Sequence, residues 1–373
     1  MSEGKRDRER ARLSRREFVR AGAATLGGAA LARGFARVWA QAAGPVKPSP
    51  VPRRKLGNTG LDLPVVSVGT VTGPVPAVIL RALEWGMNFV HTSTRYSGGK
   101  AILQVAKAIK GKRDQFILGY KFYGEDDLDK GLRLLGTDYV DILFFHSTKP
   151  EIVTADIADR FQKLKQAGKI RFFGLTSHGS VDAVMKKGLE LGFFNALMPR
   201  YNLANRDLID PIIAEGAKKG MGGVVMKSWD GLKGKDYRPF WASILQKPHW
   251  TTICKGPKTV ADIDTWGQFA LNPQAYASEA LVEQYAAACR GVTCLACGRC
   301  TAVCENGVNP CEILRCEMYA VQYGEVKLAR ALYTKLPPES TALACRDCGT
   351  CSAVCPGGLA VAERIRRVHR LLA

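Results

Sequence analysis

The run VDILFFH, residues 140–146, decides how the central part of this 373-residue chain folds. It is short and apolar and is rich in residues that favour strands, which is typical of a buried strand. The amphipathic stretch IADRFQKLKQAG, residues 157–168, follows it with the period of a helix. A buried strand followed by a helix is the repeating unit of a parallel sheet.

The same alternation recurs on both sides of this segment. Seven further strand-like runs are VVSVG (65–69), NFVHT (88–92), FILGYK (116–121), RFFGLTS (171–177), ALMPRYN (196–202), GGVVMKS (222–228) and WTTICK (250–255). Eight strands with intervening helices over about 210 residues predict a (β/α)8 TIM barrel, here residues 55–270. The alternative is a doubly wound sheet, which would want a G-x-G-x-x-G turn after the first strand; no such turn follows residues 65–69.

Polar side chains stand where these runs end. They are His91, Lys121, His146, Ser177, His178, Lys227 and Lys255. In a (β/α)8 barrel the carboxyl ends of all strands meet at one rim, and that rim carries the active site. One such residue is usually a surface residue, but seven at one rim predict a binding or catalytic face.

The charge of the chain is strongly basic. Lys and Arg number 54 against 34 Asp and Glu, and residues 1–42 contribute six of the 20 net positive charges. A nucleic-acid surface would show basic runs interleaved with aromatic residues, and none occurs after residue 55. We therefore expect a solvated basic surface and no nucleic-acid partner, with an acidic protein partner left open.

The N-terminus has the pattern of an export signal. A basic head leads to SRREF (14–18), a weakly apolar stretch covers residues 21–32, and AQA (40–42) resembles a cleavage site. This order resembles a twin-arginine signal, which predicts recognition by the twin-arginine export machinery and a periplasmic or otherwise exported bacterial protein. The apolar stretch is too short for a stable membrane span. We take residues 1–42 as the signal peptide and residues 43–54 as a linker.

The tail is dominated by cysteine. Eleven of the twelve cysteines follow residue 285, in the two stretches CLACGRCTAVC (294–304) and CRDCGTCSAVCP (345–356) and at a few separate positions. The spacing C-x2-C-x2-C-x3-C is that of bacterial ferredoxins with two clusters, in which the fourth cysteine of each run binds the other cluster. The sequence thus predicts two [4Fe-4S] clusters, one held by Cys294, Cys297, Cys300 and Cys355 and the other by Cys345, Cys348, Cys351 and Cys304.

Two other uses of these cysteines remain open at this point. Zinc prefers separated C-x2-C pairs, and disulfides suit an oxidising compartment, but both fit a repeated triple C-x2-C-x2-C run less well than clusters do. The stretch EILRCEMYAVQYG (312–324) between the runs is helical in pattern, so we expect residues 275–373 to form a small α-helical ferredoxin-like domain. The remaining cysteines are predicted to be buried thiols: Cys254, Cys289, Cys311 and Cys316.

The barrel segment resembles the aldo-keto reductases, specifically the group that carries a C-terminal iron–sulfur domain. The resemblance covers about residues 53–265. It rests on motifs that occur in the family's order: RRKLGNTGLDLPVVSVGT (53–70), GMNFVHTSTRYSGG (86–99), FILGYK (116–121), LGTDYVDILFFHS (135–147), IRFFGLTSHG (170–179), RYNLANRD (200–207) and VVMKSWDGLKG (224–234).

The resemblance implies a set of catalytic residues. Tyr96 falls on the family's proton donor, Lys121 on the lysine that lowers the pKa of that tyrosine, and His146 on the histidine that orients the carbonyl. His91 stands where the family has Asp, so the negative charge that pairs with the lysine is replaced by an imidazole. The tuning of the tyrosine by the lysine is therefore open to question.

The resemblance also implies a nicotinamide nucleotide. Ser177 and His178 fall on positions that hold the carboxamide, and Lys227 lies near the position where many relatives stack an aromatic ring on the nicotinamide. Lys255 and Lys258, in KGPKT, could grip the phosphates near a helix start. Because several of these positions depart from the family pattern, NADP(H) is a possible but doubtful cofactor.

Together these features predict an exported iron–sulfur oxidoreductase. It would act on a small carbonyl- or alcohol-like substrate and pass electrons through the two clusters to or from a redox partner protein. One alternative is an NADPH-dependent aldo-keto reductase whose clusters serve a partner. Another is an electron carrier that has lost catalysis and uses the barrel as a docking scaffold.

Overall fold

Eight parallel strands close into a barrel, as the alternation of strand-like and helix-like segments predicted. The structure is a computed structural model that describes residues 46–373, apart from the side chains of residues 125 and 126. The predicted signal peptide, residues 1–42, lies outside the described residues. Residues Pro48–Ala373 form one unit by their contacts.

The barrel strands follow the chain in order around the barrel, and the last strand pairs with the first. Their bounds are β3 (Val66–Gly69), β4 (Phe89–Thr92), β5 (Ile117–Phe122), β6 (Val140–His146), β7 (Ile170–Ser177), β8 (Ala196–Pro199), β9 (Gly222–Met226) and β10 (Trp250–Lys255). Each of the eight predicted runs thus coincides with one strand to within a few residues.

Helices connect the strands on the outside of the barrel. They are α1 (Pro76–Glu84), α2 (Lys100–Ile109), α3 (Glu125–Leu135), α4 (Asp156–Gln166), α5 (Val181–Leu191), α6 (Arg206–Lys218), α7 (Arg238–Leu245) and α8 (Val260–Leu271). A 3-10 turn, Tyr96–Gly99, precedes α2 and carries one of the predicted catalytic residues.

The barrel interior is filled by large side chains that need small neighbours. The ring of Phe144 on β6 lies opposite Gly174 on β7, where an added Cβ would come within 2.3 Å of the ring. Any larger residue at position 174 would displace that ring from the core.

A short hairpin closes the amino end of the barrel. Its strands, β1 (Arg53–Lys55) and β2 (Asp62–Pro64), are antiparallel, and Leu56, Leu61 and Leu63 pack into the same apolar cluster as Phe144. The last two residues of the predicted linker, Arg53 and Arg54, therefore lie in a strand.

The C-terminal region is helical, as predicted. Its helices are α9 (Glu279–Cys289), α10 (Arg299–Ala302), α11 (Pro310–Glu317), α12 (Val326–Tyr333), α13 (Thr350–Ala353) and α14 (Val361–Leu372), and a π-helical turn, Met318–Gln322, continues α11. The buried carboxylate of Glu317 joins α11 to α14 through ion pairs with Arg364 and Arg367. Among the helices of residues 46–373, none is both long and apolar enough to cross a membrane.

Candidate active site

A cavity of about 370 Å³ lies at the carboxyl ends of the barrel strands. Barrel residues form one side of its lining, among them His91, Tyr96, Lys121, His146 and Lys227. Residues of the C-terminal region form the other side, including Glu312, Arg315, Tyr319, Tyr323 and Leu336. The site is therefore built from both parts of the chain.

The four residues predicted to be catalytic all line this cavity: Tyr96, Lys121, His146 and His91. Each stands at or just after a strand end, His91 in β4, Lys121 in β5, His146 as the last residue of β6 and Tyr96 in the turn after β4. The barrel brings them together because parallel strands in register end at one rim.

His91 is a neutral imidazole held in the barrel interior. It is 3 % exposed, and its ring packs edge-on against Phe144 with 5.4 Å between centroids. Burial, followed by the charges of Lys121 and Lys227, lowers the pKa of His91 to about 3. Its Nε2 has no hydrogen-bond partner among the described residues. His91 thus brings neither the negative charge of the family's Asp nor a positive charge that would repel Lys121.

Within the described part of the chain, Lys121 does not have the carboxylate partner that the resemblance to aldo-keto reductases implies. Its ammonium group forms no ion pair among the described residues and instead lies 5.3 Å from the centre of the Tyr123 ring. Burial lowers the pKa of Lys121 well below its ordinary value, and the nearby charges of Lys227 and Arg315 lower it further. The lowered pKa weakens the capacity of Lys121 to hold the positive charge that would stabilise a phenolate.

Tyr96 keeps its proton firmly. Burial raises the pKa of Tyr96 well above its ordinary value, and neighbouring Tyr123, Tyr319 and Cys254 raise it further, while Arg315 opposes the rise. A tyrosine in such surroundings is a hydrogen-bond donor at neutral pH but a weak acid.

His146 presents an acceptor nitrogen. Its Nδ1 lies 3.0 Å from the carbonyl oxygen of Thr176. Because a carbonyl only accepts, Nδ1 carries the proton and Nε2 of the neutral ring is the acceptor. The His146 and His178 rings are 4.4 Å apart between centroids. Burial lowers the pKa of both well below the ordinary value for histidine. We refer to His91, His146 and His178 as the cavity histidines.

A buried ion pair from α11 completes the site. The Nε and Nη2 of Arg315 donate to one oxygen of Glu312 at 2.9 and 2.6 Å, and the other oxygen lies 3.0 Å from Nδ1 of His178. Although burial opposes it, these partners hold the pKa of Glu312 well below its usual range. Glu312, Arg315 and Tyr319 were not predicted as site residues. Their spacing of three and then four places them on one helix face, and that spacing is the signal that could have found them.

The residues predicted to bind a nicotinamide nucleotide are mostly occupied by the C-terminal region. His178 contacts Glu312, the ammonium of Lys227 donates to the hydroxyl of Tyr319 at 2.8 Å, and that of Lys255 lies 4.7 Å from the centre of the Tyr323 ring.

Two of the residues predicted to bind the nucleotide, Ser177 and Lys258, lie outside the cavity lining. Lys258 is paired with Glu325, and the hydroxyl of Ser177 donates to the backbone oxygen of Gly179 at 2.6 Å. This arrangement does not fit a nicotinamide nucleotide, because its predicted ligands already have partners.

The cysteines fall into two groups that match the predicted sets. One small pocket is lined by Cys304, Cys345, Cys348 and Cys351 together. In the other group, Cys294, Cys297 and Cys355 lie near Cys300, and Cys311, outside the motif, also contacts Cys294. The four cysteines outside the motif are buried, as predicted: Cys254, Cys289, Cys311 and Cys316.

The two cysteine loops share one backbone geometry. The residue before the second cysteine has a left-handed φ in both loops, 57° at Ala296 and 56° at Asp347, and the glycine after it has φ of 75° at Gly298 and 77° at Gly349. Left-handed φ is costly for residues other than glycine and clusters at functional sites. Backbone amides also point at sulfur, since Ala296 N–H donates to Cys294 Sγ at 3.3 Å.

This donor set fits two four-iron clusters. Within residues 46–373, no group of three or more His, Cys, Asp or Glu side chains is arranged to hold a metal ion. Thiolates around a cubane of iron and sulfide bind different irons and stand farther apart than ligands of one ion. The grouping in fours, the repeated loop and the amide-to-sulfur contact agree with that chemistry.

The barrel is a TIM barrel with its cavity at the active rim of that fold, and comparison with known proteins shows what it resembles. Residues 75–237 match the Aldo/keto reductase family. L-galactose dehydrogenase of Arabidopsis thaliana is 32% identical over 184 residues, which are 42% of this chain and 54% of that protein. The chain spans about half the length of the curated relatives it matches. The barrel part of the chain is therefore similar to the aldo/keto reductases.

Solved structures share the barrel. An aldo-keto reductase from Bacillus halodurans, in its holo form, superposes with a TM-score of 0.54 at 20% identity, covering 64% of this chain and 95% of that one. An aldo-keto reductase from Klebsiella pneumoniae in complex with NADPH has a TM-score of 0.50 at 19% identity, covering 63% and 94%. At these identities the likeness shows the fold.

Proposed function

We propose that this chain is an iron–sulfur oxidoreductase in which the barrel cavity binds a small carbonyl or alcohol and the C-terminal domain handles the electrons. The docking of the first cysteine loop on the barrel rim carries this proposal. Val181 N–H donates to Ala296 O at 3.0 Å, and Asn205 Nδ2 donates to Leu295 O at 3.2 Å. Both donors follow barrel strands, so this loop lies beside the rim that holds the cavity.

The cysteines would hold two [4Fe-4S] clusters in the sets that the spacing predicts. When bound, such clusters accept and release single electrons. Cys348 of the second loop is exposed, whereas the first loop is covered by the barrel. A redox partner protein would therefore dock at the second loop, and electrons would reach the cavity through the first.

The lining of the cavity favours a substrate that carries a negative charge. Arg95, Arg315 and Lys335 add positive groups to that of Lys227. The carboxylate of Glu312 is already shared between Arg315 and His178. A small carbonyl compound bearing a carboxylate would balance the remaining positive charge without leaving a buried charge unpaired.

Reduction of one carbonyl to an alcohol takes up two electrons and two protons. A one-electron donor protein supplies the electrons in two transfers, and water supplies the proton that ends on carbon. The proton that ends on oxygen comes from a side chain of the cavity, for which the family resemblance implies Tyr96. A substrate or product hydroxyl would be oriented by donating to Nε2 of His146, which accepts.

Export through the twin-arginine route belongs to the same proposal. A cluster is assembled inside the cell, so its carrier must cross the membrane folded, which is what that route allows. Export is tested by fractionating cells that express the full chain: the cofactor-loaded protein appears in the periplasm, and replacement of Arg15 and Arg16 by Lys retains it in the cytoplasm. Equal distribution of the two variants would contradict export.

The catalytic proposal is tested with reduced methyl viologen as the one-electron donor and 4-carboxybenzaldehyde as the substrate probe. Anaerobically purified protein is expected to form the alcohol while consuming two viologen radicals per product molecule. Cys297→Ala should abolish turnover, whereas Cys316→Ala, at a buried cysteine outside the motif, should retain it. If the wild-type protein forms no alcohol from this probe or from its methyl ester, the proposal fails.

Nucleotide dependence is tested separately by fluorescence titration with NADPH. The contacts of His178, Lys227, Lys255 and Lys258 with the C-terminal region predict no saturation at micromolar nucleotide. Tight binding would instead favour the family's ordinary reductase, with clusters that serve a partner.

A further inference from the structure

The cavity contains a second tyrosine–lysine couple, made across the two parts of the chain. The ammonium group of Lys227, just after β9, donates to the hydroxyl of Tyr319, in the π-helical turn after α11, at 2.8 Å. We propose that Tyr319 is the residue that gives the proton to the substrate oxygen and that Lys227 stabilises the phenolate left behind. This inference rests on the proposed function, because it assigns the acid of that reaction.

The backbone holds Lys227 in a conformation that few lysines adopt. Its φ is 63°, in the left-handed region that is unfavourable for a residue other than glycine. Such strain persists where the surrounding structure enforces it, and it is concentrated at active sites. The turn directs the Lys227 ammonium to within 5.1 Å of the centre of the Tyr319 ring, so the side chain meets both the hydroxyl and the ring.

Tyr319 is placed by an equally uncommon element. It is 2 % exposed, it lines the cavity, and it lies in the π-helical turn Met318–Gln322. Single π-helical turns are rare and are frequent at functional sites. The turn presents Tyr319 on the same side as Glu312 and Arg315, so one helical segment supplies three groups to the cavity.

Neighbouring charges make Tyr319 more acidic than Tyr96 and Tyr323, which also line the cavity. Burial alone would raise the pKa of Tyr319. The charges of Lys227 and Arg315, the hydrogen bond from Lys227 and the charge of Arg200 together outweigh burial, so the pKa of Tyr319 is lowered. By contrast, the pKa of Tyr96 and that of neighbouring Tyr323 are raised well above the ordinary value, chiefly by burial.

The contrast between the two couples follows from their positions. Lys121, which the family resemblance pairs with Tyr96, is buried, forms no ion pair among the described residues and has a lowered pKa. Lys227 instead donates directly to Tyr319. A general acid works best when its pKa lies near the working pH, which favours Tyr319 over Tyr96.

The step is a single proton transfer. The O–H bond of Tyr319 breaks, the proton forms a bond to the substrate oxygen as that oxygen gains negative charge, and the phenolate is stabilised by the Lys227 ammonium. Water then returns a proton to the phenolate. The two electrons come from the one-electron donor named above.

Three substitutions test this assignment in the viologen-linked reduction of 4-carboxybenzaldehyde. Tyr319→Phe should lower kcat by about 100-fold or more, because a positioned general acid contributes that much. Tyr96→Phe should lower it by much less. Tyr333→Phe removes a hydroxyl that bonds to His369 within the C-terminal domain, away from the cavity, and should leave kcat unchanged. Iron content and circular dichroism establish that each variant is folded and loaded.

Lys227→Met distinguishes an electrostatic role of Lys227 from a purely structural one, because only the electrostatic role affects the pH dependence of kcat. Reduction needs the protonated tyrosine, so kcat falls as pH rises through the pKa of Tyr319. Removing the Lys227 charge raises that pKa and should move the alkaline limb of the kcat profile to higher pH, with a lower plateau. If the limb stays in place, or if Tyr319→Phe retains wild-type kcat, the assignment is overturned.

An ultraviolet difference titration of the intact holoprotein from about pH 7 to about pH 10 separates this assignment from the proposed function. One tyrosine should ionise below its ordinary pKa, and its signal should be missing in Tyr319→Phe and shifted upward in Lys227→Met. A wild-type protein that shows this signal but reduces no probe would refute the proposed function alone. The absence of an early-ionising tyrosine would refute the assignment whatever the turnover.

Discussion

The buried carboxylate of Glu312 offers a direct test of how the C-terminal helix is joined to the barrel. Glu312→Gln keeps the size of the side chain but removes its charge. Arg315 then remains with 10% of its side chain exposed and without its ionic partner, beside a His178 that is 9% exposed. The substitution should therefore destabilise the folded chain.

The size of the effect follows from this burial. Removing one partner of a buried ion pair costs about 3–5 kcal/mol, since the remaining charge is left uncompensated. Glutamine can still accept one hydrogen bond from Arg315, so we expect the lower end, about 3 kcal/mol. That loss corresponds to an increase of about 100-fold in the unfolding equilibrium constant.

The assay is urea unfolding of the anaerobic holoprotein, followed by circular dichroism and by absorbance of the bound iron. Glu312→Gln combined with Arg315→Met should lose less than the sum of the single variants, because no unpaired charge remains. Glu325→Gln is the matched control. Its partner Lys258 is 57% exposed, so it should cost less than about 1 kcal/mol. A loss below about 1 kcal/mol for Glu312→Gln, or strictly additive losses, would refute the reasoning.

Three further predictions concern the cavity and the cysteines. Arg95→Ala should raise KM for 4-carboxybenzaldehyde about 10-fold without changing that for its methyl ester; equal changes would contradict an anionic substrate. The pKa of each cavity histidine is lower in the folded chain than in the unfolded chain, so the unfolded chain takes up protons first as the pH falls. The free energy of unfolding should therefore be greatest above about pH 6.5 and should decrease below it. For the three histidines together the decrease is up to about 4 kcal/mol per pH unit. Urea unfolding between about pH 7 and about pH 5.5 checks this, and a flat profile would refute it. Cys297→Ala and Cys348→Ala should each halve the iron content, measured by colorimetric assay, and unchanged iron would place the clusters elsewhere.

Most of the barrel could be predicted from local sequence. Each strand is an apolar run of the length expected for a strand. Polar residues at the strand ends, such as Lys121 and His146, indicated where the rim with the active site lies. The hairpin of Arg53–Lys55 with Asp62–Pro64 escaped prediction because its strands have three residues each and little apolar pattern. Its stability comes from packing Leu56 and Leu61 against the barrel interior, which local sequence does not reveal.

The site was predictable only on its barrel side. Tyr96, Lys121, His146 and His91 line the cavity because strand ends converge in any such barrel. That Tyr319 would meet Lys227, 92 residues away in sequence, depends on how α11 packs on the rim. Contacts of that kind arise from tertiary packing, and no periodicity in either segment encodes them.

The cysteine spacing predicts ligand sets but not the placement of the loops. The left-handed residues Ala296 and Asp347 could not be foreseen, since neither alanine nor aspartate at these positions signals such a backbone as glycine would. The docking of the first loop next to Asn205 likewise depends on the assembled fold.

The most direct test of the account is an iron and sulfide count on protein isolated without oxygen, combined with electron paramagnetic resonance after dithionite. Two four-iron clusters predict about eight irons and about eight sulfides per chain, a brown colour and the signals of reduced [4Fe-4S] centres. Protein that is colourless, or that contains zinc in place of iron, would contradict the claim that the C-terminal domain delivers electrons to the barrel.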